Sequence, residues 1–88
     1  MAKYYMEIIM LYEYCKKIGL RATLEELFDG HKIVFPNGGD FVQHQFSYGA
    51  DCGCVEPAIG SKADYKAVTL ENAKRLVRRH KDKLNRRG

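Results

Sequence analysis

An 88-residue chain that is 45% hydrophobic and 30% charged has room for one domain with one small core, and this balance excludes a disordered polymer. Its net charge of +4 is unevenly spread: residues 69–88 hold eight basic side chains against two acidic, a net of +6, whereas residues 1–68 net −2, which points to a polyanion or an acidic partner. No apolar run approaches the roughly 18–20 residues that cross a bilayer, and three cysteines are too few, and odd in number, for a disulfide-stapled secreted scaffold.

Residues 2–18 carry helical periodicity. At 100° per residue, Ile18, Leu11, Tyr4, Cys15, Ile8, Tyr12 and Tyr5 share an arc of about 140°, a broad buried face. Glu7 and Glu13 interrupt the apolar residues and no small-residue cleavage site follows, so the segment reads as a helix of the mature protein in a cytoplasmic setting. Met6, Met10 and Tyr14 lie among the charges of the opposite face. They are either scattered surface apolars or the interface for a second subunit or partner. Gly19 is a natural stop.

Leu20–Phe28 alternates as a strand does, although Thr23 and Glu26 also stand at capping-box spacing for a short helix. A strand over about 20–27 is the preferred reading, turning at Asp29-Gly30 into a second over about 31–36. Asn37-Gly38-Gly39 then predicts a type I′ hairpin into a third strand over about 40–48. In that strand Phe41, Gln43, Gln45 and Ser47 alternate with Val42, His44, Phe46 and Tyr48, and the glutamine side is expected to face solvent. A fourth run covers about 53–57, and residues 60–68 read as a loop. Thr69 is an N-cap for a helix over about 69–86, with Val68 and Ala73 at staple spacing and Leu70, Ala73, Leu76, Val77, His80 and Leu84 forming its apolar arc. The expectation is a single α+β domain over residues 1–88, in two layers. An antiparallel meander of three to four strands carries both terminal helices on one face, in the order α-β-β-β(-β)-α.

The basic helix is the strongest functional signal. Lys74, Arg75, Arg78, Arg79, Lys81 and Arg86 place a row of cations on a rigid rod, as phosphate binding requires. Three ordinary roles compete: complementing the helix dipole, forming the i,i+4 pairs Glu71–Arg75 and Arg78–Asp82, and keeping the chain soluble. Cys52-Gly53-Cys54 is Cys-x-Cys, not the Cys-x2–4-Cys of structural zinc, and only His31, His44, His80 and Cys15 could complete a set, so neither a metal nor a cofactor is expected. A Cys–His nucleophile pair built on Cys52 or Cys54 with His44 has no sequence support beyond residue type. Asn37-Gly38-Gly39-Asp40 leads into a strand and lacks the ending of a phosphate loop. Gln43, His44, Gln45 and Tyr48 could make a polar recognition face with an aromatic for stacking, though ordinary core and surface roles serve them as well.

The α–β–β–β–α order with its basic last helix resembles the double-stranded RNA-binding domain over roughly residues 4–86. The resemblance is one of element order: the family opens its last helix with a lysine cluster, whereas Val68-Thr69-Leu70-Glu71-Asn72 opens this one. Asp29-Gly30-His31 is a faint echo of that family's Gly-Pro-x-His turn. The sheet-plus-helix DNA-binding domains of phage integrases are similar in topology too, and short basic proteins of this size are frequent in phages and mobile elements. The function expected is that of a small non-enzymatic binding protein acting on nucleic acid or a nucleoprotein through the basic helix. The alternatives are a protein-binding module, such as a phage-type inhibitor of a host protein using Met6, Met10 and Tyr14 or the sheet face, and a small structural domain; a homodimer is compatible with that face.

Overall fold

The computed structural model describes residues 5–58 and 66–87. Helix α1 (Met6–Lys17) leads into strands β1 (Thr23–Leu27), β2 (Gly30–Val34), β3 (Asp40–Gln43) and β4 (Cys54–Ala58), with a 3-10 turn at Ala50–Cys52 before β4. Strand β5 (Val68–Thr69), helix α2 (Leu70–Arg79) and a one-turn helix α3 (Lys81–Leu84) follow. The strands form one antiparallel sheet in the order β1-β2-β3-β4-β5, with α1 and α2 packed on one face. The expected α+β architecture is therefore the observed one, with a fifth short strand.

The buried side chains follow from the two periodicities. Ile8, Leu11 and Cys15 of α1 and Ala73 and Val77 of α2 meet Ile33, Phe41, Val55 and Pro57 of the sheet, and Leu84 closes the far end. Each large apolar side chain buried there contributes roughly 1.5–3 kcal/mol. Phe35 and Phe41 pack edge to face at 6.1 Å. Helix α1 ends in a paired motif, Leu20 N–H to Cys15 C=O (2.9 Å) and Gly19 N–H to Lys16 C=O (3.2 Å), which needs Gly19 at φ +89°. Thr69 caps α2, its Oγ1 accepting from Asn72 N–H at 3.3 Å. The predicted single last helix is interrupted at His80 (φ −104°, ψ 16°), so α3 turns Leu84 into the core and its carbonyl onto Asn37 N–H at 3.3 Å.

Further expectations change. The β2–β3 hairpin turns through Pro36-Asn37-Gly38, not Asn37-Gly38-Gly39. Gly38 N–H reaches Phe35 C=O and Phe35 N–H reaches Gly39 C=O, both at 2.9 Å, with Gly38 at φ +90° as in a three-residue loop. Proline at the first loop position favours that turn over the type I′ alternative. The strand expected over 40–48 stops at Gln43, because the next amides bond to side chains. His44 N–H donates to Ser47 Oγ (3.0 Å), Gln45 N–H to Asp29 Oδ1 (2.7 Å) and Phe46 N–H to His44 Nδ1 (3.0 Å). Val68–Thr69, read as loop and cap, pairs with Cys54 and Val55 as β5. Lastly, the glutamine side of β3 does not face solvent. Phe41 and Gln43 are fully buried beneath the helices, while Val42 is on the opposite face between Lys32 and Glu56. The expected strand over 20–27 begins only at Thr23. Tyr4 and most of the expected loop, residues 60–65, lie outside the described residues.

Gln43 is buried because it replaces a missing cap. Tyr5 offers α1 no side-chain acceptor, so Gln43 Oε1 accepts from Ile8 N–H (2.9 Å). Its Nε2 donates to Glu7 Oε1 (3.0 Å) and Ala50 C=O (3.2 Å). Gln43 thus supplies from 35 residues along the chain the capping acceptor that α1 lacks.

Candidate functional site

The cations of α2 divide into two rows. Lys74 and Arg78 point toward α1 and hold Tyr14 between them. Lys74 Nζ sits 5.3 Å from the ring centroid, the Arg78 guanidinium carbon 5.8 Å, and Arg78 Nη1 donates to Tyr14 Oη at 2.8 Å. Tyr14 is therefore half-buried and committed to the α1–α2 contact, whereas Met6 (60% exposed) and Met10 (47%) project from α1. Arg75 and Arg79 project from the other flank of α2, where, with Lys66 and Asn72, they line a groove of about 360 Å³ floored by Val68 and Leu76. Glu71 turns to Lys74 Nζ (3.9 Å), and among the described residues neither Glu71–Arg75 nor Arg78–Asp82 closes as an ion pair. The pairs expected to neutralise the row are absent there, and Arg75 and Arg79 keep their charge for solvent or a ligand. Lys81 is half-buried with its ammonium over Gly19, and Arg86 is exposed.

Chain folding also builds a separate cationic hollow away from the α2 groove. Asn85 Oδ1 accepts from Arg21 N–H (2.8 Å) and its Nδ2 donates to Gly19 C=O (3.1 Å), docking the chain end beside the α1–β1 connection. Arg87 and Arg21 thereby share a second hollow of about 530 Å³ with Thr23, Val34, Phe35 and Pro36. Sequence reading singled out neither Arg21 nor Lys66, since each stands alone in its own segment.

The opposite end of the sheet has a different character. Phe28 (65% exposed), Phe46 (69%) and Tyr48 (69%) stand out around His44. The Phe28 ring meets His44 at 5.0 Å and Phe46 at 4.9 Å, both edge-on. Phe28 lies at φ +55°, a left-handed conformation uncommon for a bulky side chain. Asp29 holds the loop from below, with Oδ1 on Gln45 N–H and Oδ2 on Tyr5 Oη (3.3 Å), while Tyr48 N–H donates to Glu56 Oε2 at 3.0 Å. Gln45 is exposed, but Gln43, sought as its partner on a recognition face, is in the core. Gly30 is required here, since a Cβ would stand 1.9 Å from the Gln43 carbonyl oxygen.

Burial sets the remaining chemistry. It pushes the Cys15 thiol up to about 12, away from thiolate reactivity. Cys52 is exposed and Cys54 partly so. Among the described residues no three His, Cys, Asp or Glu side chains gather as a metal site. On the helix-free face of the sheet, burial raises the pKa of Asp40, opposed by Lys32 and reinforced by Glu56. Among the described residues no helix is long and apolar enough to cross a membrane. Comparison with protein-family models, curated proteins and solved structures returned no match.

Proposed function

We propose that this is a small, non-enzymatic, cytoplasmic protein that binds nucleic acid, or a nucleoprotein through its nucleic acid, with the cationic flank of α2. The observation that carries the reading is the pair Arg75 and Arg79, one helical turn apart, exposed and without an acidic partner among the described residues, on the rim of the Lys66 groove. Fixed guanidiniums of this kind grip phosphate oxygens in pairs and displace counterions, so affinity falls with salt. Arg86 and the separate Arg21–Arg87 hollow add to the positive charge of the molecule, as do Lys74, Arg78 and Lys81 behind the groove. The test is fluorescence anisotropy with labelled duplex RNA, duplex DNA and single-stranded DNA over a salt series. Arg75→Ala/Arg79→Ala is expected to reduce the slope of log K against log salt on duplex DNA by about 2, close to 0.9 per lost phosphate contact. Lys74→Ala/Arg78→Ala is expected to weaken binding less and to lower stability by freeing Tyr14. Absence of binding at about 50 mM salt, where even non-specific contacts register, or an Arg75/Arg79 variant that binds like wild type, overturns the reading.

A protein-binding module is the second reading, favoured by the exposed Met6 and Met10. Capture of a protein that is insensitive to salt and lost in Met6→Ser/Met10→Ser, with no nucleic-acid binding, would select it.

A further inference from the structure

The aromatic end of the sheet is not explained by nucleic-acid binding. Segment Thr23–Ala58 carries six acidic side chains against Lys32 alone, a net of −5, which repels a polyanion. The end is also built rather than slack: backbone amides of residues 44–46 and 48 are held by Ser47, Asp29, His44 and Glu56. Holding Phe28 in the left-handed region costs on the order of 1–3 kcal/mol. The two-residue Phe28-Asp29 turn between Leu27 and Gly30 sets that positive φ and leaves the aromatic ring in solvent. The result is a firm apolar knob with an acidic rim.

Its complement is on the same molecule. The groove beside α2 has an apolar floor, Val68 and Leu76, and a cationic rim, Arg75 and Arg79. Residues 66–87 carry nine basic side chains against two acidic, a net of +7. Guanidiniums attract aromatic faces and pair with carboxylates, so the two surfaces match in both polarity and charge. Phe28 cannot reach that groove within its own chain. Phe28 is on the β1–β2 turn, at one edge of the sheet, and the groove borders β5 at the other, with the loop from Phe46 to Gly49 running between them to Ala67. Four interstrand spacings of about 4.8 Å separate those edges by roughly 19 Å.

We propose that copies of this chain associate head to tail, the Phe28/Phe46 knob of one docking between Arg75 and Arg79 of the next. Because Phe28 and the groove stand at opposite edges of the sheet, a partner that receives the knob does not return its own in the same contact, so the contact is heterologous and propagates instead of closing as a two-fold dimer. Three aromatics that each bury roughly 150–250 Å² when covered, but are about two-thirds exposed, offer on the order of 300–500 Å² per side. The total is below the roughly 1,200 Å² of a stable interface, so the association is transient. Nucleic acid bound at Arg75 and Arg79 competes with the knob.

Sedimentation velocity without nucleic acid tests this, from about 10 to about 500 µM protein, a range suited to weak interfaces. The weight-average coefficient is expected to rise with concentration past the dimer at about 50 mM salt and to fall back toward the monomer at about 500 mM, where screening shortens to a few ångströms. Phe28→Gly/Phe46→Ser, which changes only exposed side chains, and Arg75→Glu/Arg79→Glu should each stay monomeric. Mixed one to one they should form a dimer and nothing larger, since each supplies the surface the other lacks. Circular dichroism of both variants checks that the fold is retained. A wild type that stays monomeric, growth that stops at the dimer, a knob variant that assembles like wild type, or a mixture that stays monomeric overturns the proposal. A failure of nucleic-acid binding in the anisotropy series leaves it standing, since the two assays share no ligand.

Discussion

Replacing Gln43 by leucine removes a polar side chain that is completely buried and holds the first turn of α1 to the sheet. Leucine is similar in volume, so the change creates little cavity. What it leaves is the Ile8 amide without a partner, while the Ala50 carbonyl keeps the Gly53 N–H at 3.1 Å and Glu7 can turn to water. A buried amide stranded in this way costs roughly 1–3 kcal/mol, about 2 kcal/mol at the centre of that range. The whole domain is expected to be worth about 4–13 kcal/mol at 0.05–0.15 kcal/mol per residue, so the loss is a large share of it. The melting temperature should fall by about 8–16 °C, at 4–8 °C per kcal/mol for a domain of this size. Urea titration followed by circular dichroism would show the midpoint drop with an unchanged slope. Gln43→Glu supplies an independent arm. It keeps an acceptor for Ile8 but sets a second carboxylate beside Glu7, where the amide now sits at 3.0 Å. Burial and Glu7 raise the folded-state pKa of the introduced carboxyl. The penalty is therefore full above that raised value, declines as pH falls through it, and vanishes below the unfolded value of about 4.3. A Gln43→Leu protein within about 0.5 kcal/mol of wild type, the range of neutral surface changes, would refute the capping role.

Asp40→Asn should stabilise the protein at neutral pH, because burial disfavours the ionised carboxylate and raises its folded pKa. The advantage should shrink as pH falls through that raised value and disappear below the unfolded value of about 3.9, read from melts of both proteins across the range. Equal melts at pH 7 would argue that Lys32 offsets the burial fully. Among the thiols, Cys52 should react first with a disulfide reagent in the native protein, Cys54 more slowly, and Cys15 only as fast as the domain unfolds, given its burial and its pKa near 12. Three equally fast thiols in native buffer would contradict the buried position of α1.

How much was legible in the residues depended on the range of the interaction that fixed them. The apolar arc of α1 is recovered in the structure wherever it is described, with Tyr5, Ile8, Leu11 and Cys15 inside. Gly19 and Thr69 end and begin helices as their types suggest, since caps are decided by bonds within four residues. Reading failed on β3, where alternation was visible but its sense was not. A glutamine looks like a surface residue until an uncapped helix start arrives from 35 positions earlier to bond with it. The candidate cations lay where expected on α2, but their division into a row spent on Tyr14 and a row lining a groove depends on which way α1 crosses α2.

By itself, then, the sequence determined the element order apart from β5 and the break at His80, the buried helix faces, the helix stop at Gly19 and start at Thr69, and the concentration of positive charge after Thr69. These rest on local periodicity, backbone preference and charge, which act within a few residues of chain. Tertiary structure alone decided that Gln43 is core, that Arg21 meets Arg87 through Asn85, and that Lys66 joins Arg75 and Arg79 at a groove. It alone set an acidic aromatic end against a cationic one on opposite edges of the sheet. Those outcomes depend on strand order and helix placement, which are fixed by packing among residues far apart in the chain.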